Sequence, residues 1–185
     1  MTEVEVKSRA ELRAWLAENH TRTEGVWLVV YKKHTDHYLP WGDAVSELLC
    51  WGWVDSVTRK VDADRSSYRI APRNPKSAWS AVNKAKVEEA RAAGLMTPAG
   101  EALIAAAQDN GMWVFLDDVE RLERPDDLTV ALGDLGSVWD NYPKSVKRGT
   151  LEWIKTAKTE ATRRKRIEDV VSSAQSGLRP SPFRR

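Results

Sequence analysis

Cysteine is nearly absent from this chain of 185 residues, with Cys50 the only one. An intrachain disulfide is thereby excluded, and so is a zinc site built on several thiolates. Cys50 sits in an apolar run (Leu48, Leu49, Cys50, Trp51), where a thiol behaves as a small buried hydrophobe. Histidine is scarce too: His20 at a helix end, and His34 and His37 in "HTDH". That tetrapeptide, with Asp36, lies on a loop without the scaffold that fixes ligand geometry, so no metal is expected. No G-x-x-x-x-G-K, G-x-G-x-x-G or G-x-S-x-G occurs, so no cofactor is expected. "GDLG" (133–136) imitates a KH glycine loop only on the surface, since its aspartate would repel a phosphate backbone. Long apolar runs are missing as well. The longest, Val26 to Tyr31, is far too short for a bilayer, so no membrane span is expected. The first residues, "MTEVEVKSRAEL", lack the pattern of a signal peptide, and the expectation is a soluble cytoplasmic protein.

What is present is a globular composition, 42% hydrophobic against 30% charged. The net charge of +2 hides a segregation. From Glu101 to Tyr142 ten acidic residues face only Arg121 and Arg124. From Pro143 to Arg166 nine Lys/Arg stand against Glu152 and Glu160. Such blocks either solvate two helical faces or pair with each other. Nine tryptophans are the clearest excess. Trp41, Trp51, Trp53 and Trp79 cluster in sequence, and they either fill a core or line an aromatic pocket.

Periodicity predicts an α+β fold: a small antiparallel sheet with a hairpin packed by helices, followed by a helical C-terminal part. "SRAELRAWLAENH" carries a capping box at Ser8 and Glu11, hence a helix. "GVWLVVYKK" (25–33) reads as a buried strand and 41–50 as a helix. "GWVDSVTRKVDADRSSYRIAPR" reads as a hairpin, 53–61 with 66–72, whose turn count brings Asp55 opposite Pro72. Helices follow at 78–93 with Ser77 as N-cap, at 98–110 with Thr97 as N-cap and Pro98 at N1, and near 126–132. "YPKSVKRGTLEWIKTAK" and "TEATRRKRIEDVVSSAQSG" complete the set. The expected organisation is an α+β domain over 1–115, a helical region over 116–177 packed on it, and a loose tail over 178–185.

The candidate site centres on "PRNPKSAWS" (72–80). Two prolines stiffen the backbone around Arg73 just before a helix start. Trp53, Asp55, Arg73, Lys76, Ser77, Trp79, Ser80 and Asn83 form the candidate ligand-binding set. Arg73 is read either as a strut paired with Asp55 or, with Lys76 and the helix N-terminus, as an anion clamp. A second set, Arg163, Arg164, Lys165 and Arg166, forms a basic helix face. Arg163 or Arg166 is expected to dock inward, beside Ile167 and Val170, with Arg164 and Lys165 exposed.

"GVWLVVYKK", "AVSELLCWGWVDS", "APRNPKSAWSAVNKAKV", "GLMTPAGEALIAAAQDNG" and "LEWIKTAKTEATRRKRIEDVV" together resemble the YdeI/OmpD-associated family of bacterial proteins, also called bacteriocin-protection proteins. The resemblance runs over about residues 20–175. It departs mildly at Trp51, where phenylalanine is usual, and at Val54, where isoleucine is. It implies a soluble α+β protein with a helical C-terminal part, linked to tolerance of bacteriocins and antimicrobial peptides and, in some members, to a porin. No reaction is attached to it. The leading reading is therefore a non-enzymatic protein in envelope-stress tolerance that binds a protein partner or a small anionic ligand. An enzyme with Asp55 as general base and Arg73 as anion clamp is the alternative. Nucleic-acid binding through the basic helices ranks last, because aromatic-basic interleaving is missing there.

Overall fold

The computed structural model describes residues 2–184 and divides the chain into two compact units, Met1–Phe115 and Leu116–Arg185. The first contains β1 (Glu3–Glu5), α1 (Arg9–Asn19), β2 (Val26–Tyr31), α2 (Trp41–Cys50), β3 (Trp53–Lys60), β4 (Arg65–Pro72), α3 (Ala81–Ala92) and α4 (Pro98–Asp109). The second contains α5 (Asp117–Glu120), α6 (Asp126–Leu132), α7 (Gly136–Asp140), α8 (Lys144–Lys155) and α9 (Glu160–Gln175). The α+β expectation holds: a sheet in the first half and a mainly helical second half. The sheet has the order β1-β2-β4-β3, and β1, which alternation over three residues is too short to announce, joins β2 in parallel.

Alternation assigns the sheet faces. Val26, Leu28, Val30, Ile70 and Trp53 point to one side and form a core with Leu12 and Leu16 of α1 and Ala44 and Leu48 of α2. The other side is clothed in charge. Arg59 pairs with Glu3 and lies 4.0 Å over the Trp27 ring, while Arg65 pairs with Glu5 at 2.7 Å. The hairpin register differs from the turn count. Lys60 pairs with Ser66, a bulge intervenes between Asp55 and Thr58, and Trp53, not Asp55, stands opposite Pro72. One residue is displaced at the turn and one more at the bulge, because a count from the turn assumes an unbroken ladder.

A second core cluster joins Leu49 of α2 to Trp79, Val87, Ile104 and Ala107. Helices α2 and α4 approach closely there. A side chain at Gly100 would lie 2.4 Å from the Cys50 carbonyl oxygen, and the Thr97 hydroxyl donates to that oxygen at 2.6 Å. Cys50 itself is fully buried, and burial pushes its thiol pKa up. Helix α3 starts at Ala81 with Ser80 as N-cap, three residues later than expected. Asn74 is the reason: its backbone oxygen accepts from Ser77 N–H and its side-chain oxygen from Lys76 N–H, closing a turn before any helix begins.

In the second unit the charge blocks meet. Arg148 holds Glu120 at 2.7 Å, Lys155 holds Asp118 at 2.6 Å, and Arg163 holds Asp127 at 2.6 Å. The tail expected to be loose is tied back in the described residues. Ser181 N–H donates to Asp169, the Tyr142 hydroxyl donates to the Leu178 carbonyl, and the Phe183 ring covers Gly149. A glycine on α8 leaves room for that ring, which composition alone does not reveal.

Candidate functional site

Arg73 leaves the end of β4 with its backbone N–H donated to the Gly52 carbonyl at 2.9 Å. Its side chain is only 6% exposed. The guanidinium lies 4.0 Å over the Trp79 ring, and Nη2 donates to the Ala78 carbonyl at 2.6 Å. Nε is buried with no hydrogen-bond partner. Burial pulls the pKa below its ordinary range, yet a guanidinium remains charged at any ordinary pH. The cation–π contact and the carbonyl are worth about 2 kcal/mol each. Several kcal/mol of desolvation stand against them. No carboxylate among the described residues forms an ion pair with Arg73.

Asp55 is elsewhere. It pairs in register with Ile70 and accepts a hydrogen bond from Trp41 Nε1 at 3.2 Å. The expected Asp55–Arg73 ion pair is absent, because the bulge and the shifted register separate their positions along the hairpin. Trp53 and Trp79 lie in different core clusters. Trp53 is 0% exposed, edge-on to Trp15, and its Nε1 donates to the His20 carbonyl at 3.2 Å. Trp79 is 1% exposed and lies against Trp113 in the second cluster. Neither ring offers a face to solvent, so of the two readings of the tryptophans, core and pocket, the core holds for Trp53 and Trp79, in two separate clusters.

The remaining candidates gather at the turn before α3. Lys76 is exposed, Ser77 and Asn83 are half-buried, and Ser80 Oγ accepts from Asn83 N–H at 3.3 Å. Because the helix begins at Ala81, Trp79 and Asn83 do not share a helical face. Residues that sequence reasoning missed complete the surroundings. Asn110 Nδ2 donates to the Pro75 carbonyl at 2.9 Å, and the Met112 carbonyl accepts from Trp79 N–H at 3.2 Å. Both lie beyond α4, and no local signal links them to the turn. The result is a hydrogen-bonded frame around one buried, incompletely paired cation, with Lys76 three residues after it and α3 starting at Ala81.

On α9, Arg163 docks on Asp127, and Arg166 Nη1 donates to the Trp153 carbonyl with its guanidinium 5.2 Å from that ring. Arg164 and Lys165 are exposed. Half of the basic set is thus turned inward.

Comparisons with known proteins give two matches. Residues 4–103 match the family described as a domain of unknown function, DUF8412. Residues 121–177 match the family described as bacteriocin-protection, YdeI or OmpD-associated. The resemblance drawn from the residue blocks is thereby supported in the C-terminal segment; the blocks before it lie in or overlap the first match. No curated protein matches the chain, and no solved structure does. No helix among the described residues is long and apolar enough to cross a membrane. With more than half its length matched by the first model, the chain belongs to the DUF8412 family, and its residues 121–177 are similar to the bacteriocin-protection, YdeI or OmpD-associated family.

Proposed function

We propose that this protein acts by binding, without turnover, and that it recognises a small anion through Arg73 in a cytoplasmic role supporting tolerance of bacteriocins. The tolerance role rests on the description of the family matched at 121–177. One observation carries the anion reading: Arg73 is buried without a carboxylate, and its Nε has no partner. A buried charge left unpaired is costly, so an arriving anion gains the attraction that the fold has left unused. The enzyme alternative would have to work without an Asp55–Arg73 pair, since Asp55 accepts from Trp41 Nε1.

Thermal unfolding of the wild type, Arg73→Met and Asp55→Asn in phosphate, sulfate, acetate and succinate tests this. At least one anion is expected to raise the wild-type midpoint; saturation a hundredfold above Kd stabilises by about 2.7 kcal/mol. Arg73→Met should abolish the shift and Asp55→Asn should keep it. A wild type indifferent to all four anions overturns the reading. For the cellular role, survival under bacteriocin challenge should fall with Arg73→Met and not with Asp55→Asn.

A further inference from the structure

The second unit holds a cavity of about 300 Å³, in the size range of small-ligand sites. Val119, Leu151 and Ile154 give it an apolar lining, Arg124, Lys155 and Arg163 bring three cations to it, and its two carboxylates, Asp118 and Glu123, are held by Lys155 and Arg121. Two of the cations are engaged: Lys155 Nζ contacts both oxygens of Asp118 at 2.6 Å, and Arg163 forms a two-point contact with Asp127 at 2.6 and 2.8 Å. Arg124 is different. Its only ion pair among the described residues is with Asp140 at 3.9 Å, beyond hydrogen-bond reach, although its side chain is 30% exposed.

The backbone holds Arg124 in place. Helix α5 ends with Glu123 N–H bonded to the Asp118 carbonyl and Leu122 N–H to the Val119 carbonyl. That is a Schellman closure, with Leu122 at φ 59 in the position that usually takes glycine. Pro125 follows Arg124 and restricts it to extended conformations. Arg124 is thus fixed between a left-handed leucine and a proline, beside an apolar hollow.

From this geometry we infer that the cavity binds a small carboxylate with a short aliphatic body. The carboxylate is gripped by Arg124 and the aliphatic part rests on Val119, Leu151 and Ile154. A planar guanidinium with unfilled donors matches a carboxylate in two-point geometry. The apolar lining rewards a hydrocarbon body in place of a bare inorganic ion. This site is separate from Arg73 and does not depend on the function proposed there.

The probe is isovalerate, with isoamyl alcohol as the neutral analogue and acetate as the analogue lacking the body. Methyl resonances of Leu151 and Ile154 in the full chain are followed by NMR during titration; the Ala78 amide reports binding at Arg73 separately. Isovalerate is expected to saturate the Leu151 and Ile154 shifts, with acetate and isoamyl alcohol each at least about tenfold weaker, roughly 1.4 kcal/mol. Arg124→Gln should weaken isovalerate by about the same factor, while the exposed control Arg164→Gln leaves it unchanged. Leu122→Gly should keep the fold and weaken binding by loosening Arg124. Absence of saturable methyl shifts overturns the inference, as does equal affinity for the alcohol or an Arg124→Gln variant that binds like the wild type.

Discussion

At residue scale, Arg73 and Leu122 each hold an unfavourable state that a single substitution relieves. Removing Arg73 by Ala leaves a void beside Trp79, so Met, which keeps the volume, is the informative change. Arg73→Met is expected to leave the unfolding free energy within about 1 kcal/mol of the wild type or to raise it, because it deletes a desolvated charge with no carboxylate partner. A loss of 3 kcal/mol or more in urea unfolding, the usual cost of breaking a buried pair, would mean that a partner had been lost. Leu122→Gly is expected to gain about 1 kcal/mol, since a left-handed leucine carries roughly that strain. Chemical denaturation of the variant measures it. The Arg73 environment was only half legible in the sequence. "PRNPKSAWS" announced a stiffened arginine, and the prolines and Asn74 say why. Its lack of a carboxylate depends on a hairpin bulge that no residue pattern marks.

Where caps and periodicity agree, the sequence locates its elements. Ser8 accepts from Glu11 N–H and Thr97 from Gly100 N–H, as their positions imply, and Pro98 occupies the first turn of α4. A competing local turn shifts the boundary, as at Asn74–Ser77, and elements of three or four residues, such as β1 and α5, carry no periodic signal. Close approaches between helices were invisible. Gly100 looks like an ordinary N-terminal helix residue, yet the Cys50 carbonyl occupies the space of its missing side chain. Gly100→Ala should therefore destabilise the first unit by about 2 kcal/mol or more, although alanine is the better helix former. Thermal unfolding would show a lowered midpoint; an unchanged or raised one would mean that α2 and α4 part without cost.

Over the whole molecule, the segregation of charge along the sequence becomes a set of ion pairs within the second unit. Of these, Asp127 with Arg163 gives the cleanest test. The hydrogen bonds from Arg163 hold the Asp127 carboxyl below its ordinary value of 3.8. A carboxyl depressed in the folded state adds stability at every pH above its unfolded pKa, and that contribution fades as pH falls through the folded one. Asp127 is 44% exposed, so the pair is a surface contact worth roughly 1 kcal/mol or less. Arg163→Gln should thus lower the calorimetric midpoint at neutral pH by a small, measurable amount. The gap between variant and wild type should narrow below about pH 4 and close once the carboxyl is protonated in both states. Added salt at neutral pH should narrow the same gap, because exposed pairs are screened. A gap that stays constant from neutral to acid would show that Arg163 contributes through contacts independent of Asp127, such as its 3.5 Å hydrogen bond to the Ile154 carbonyl.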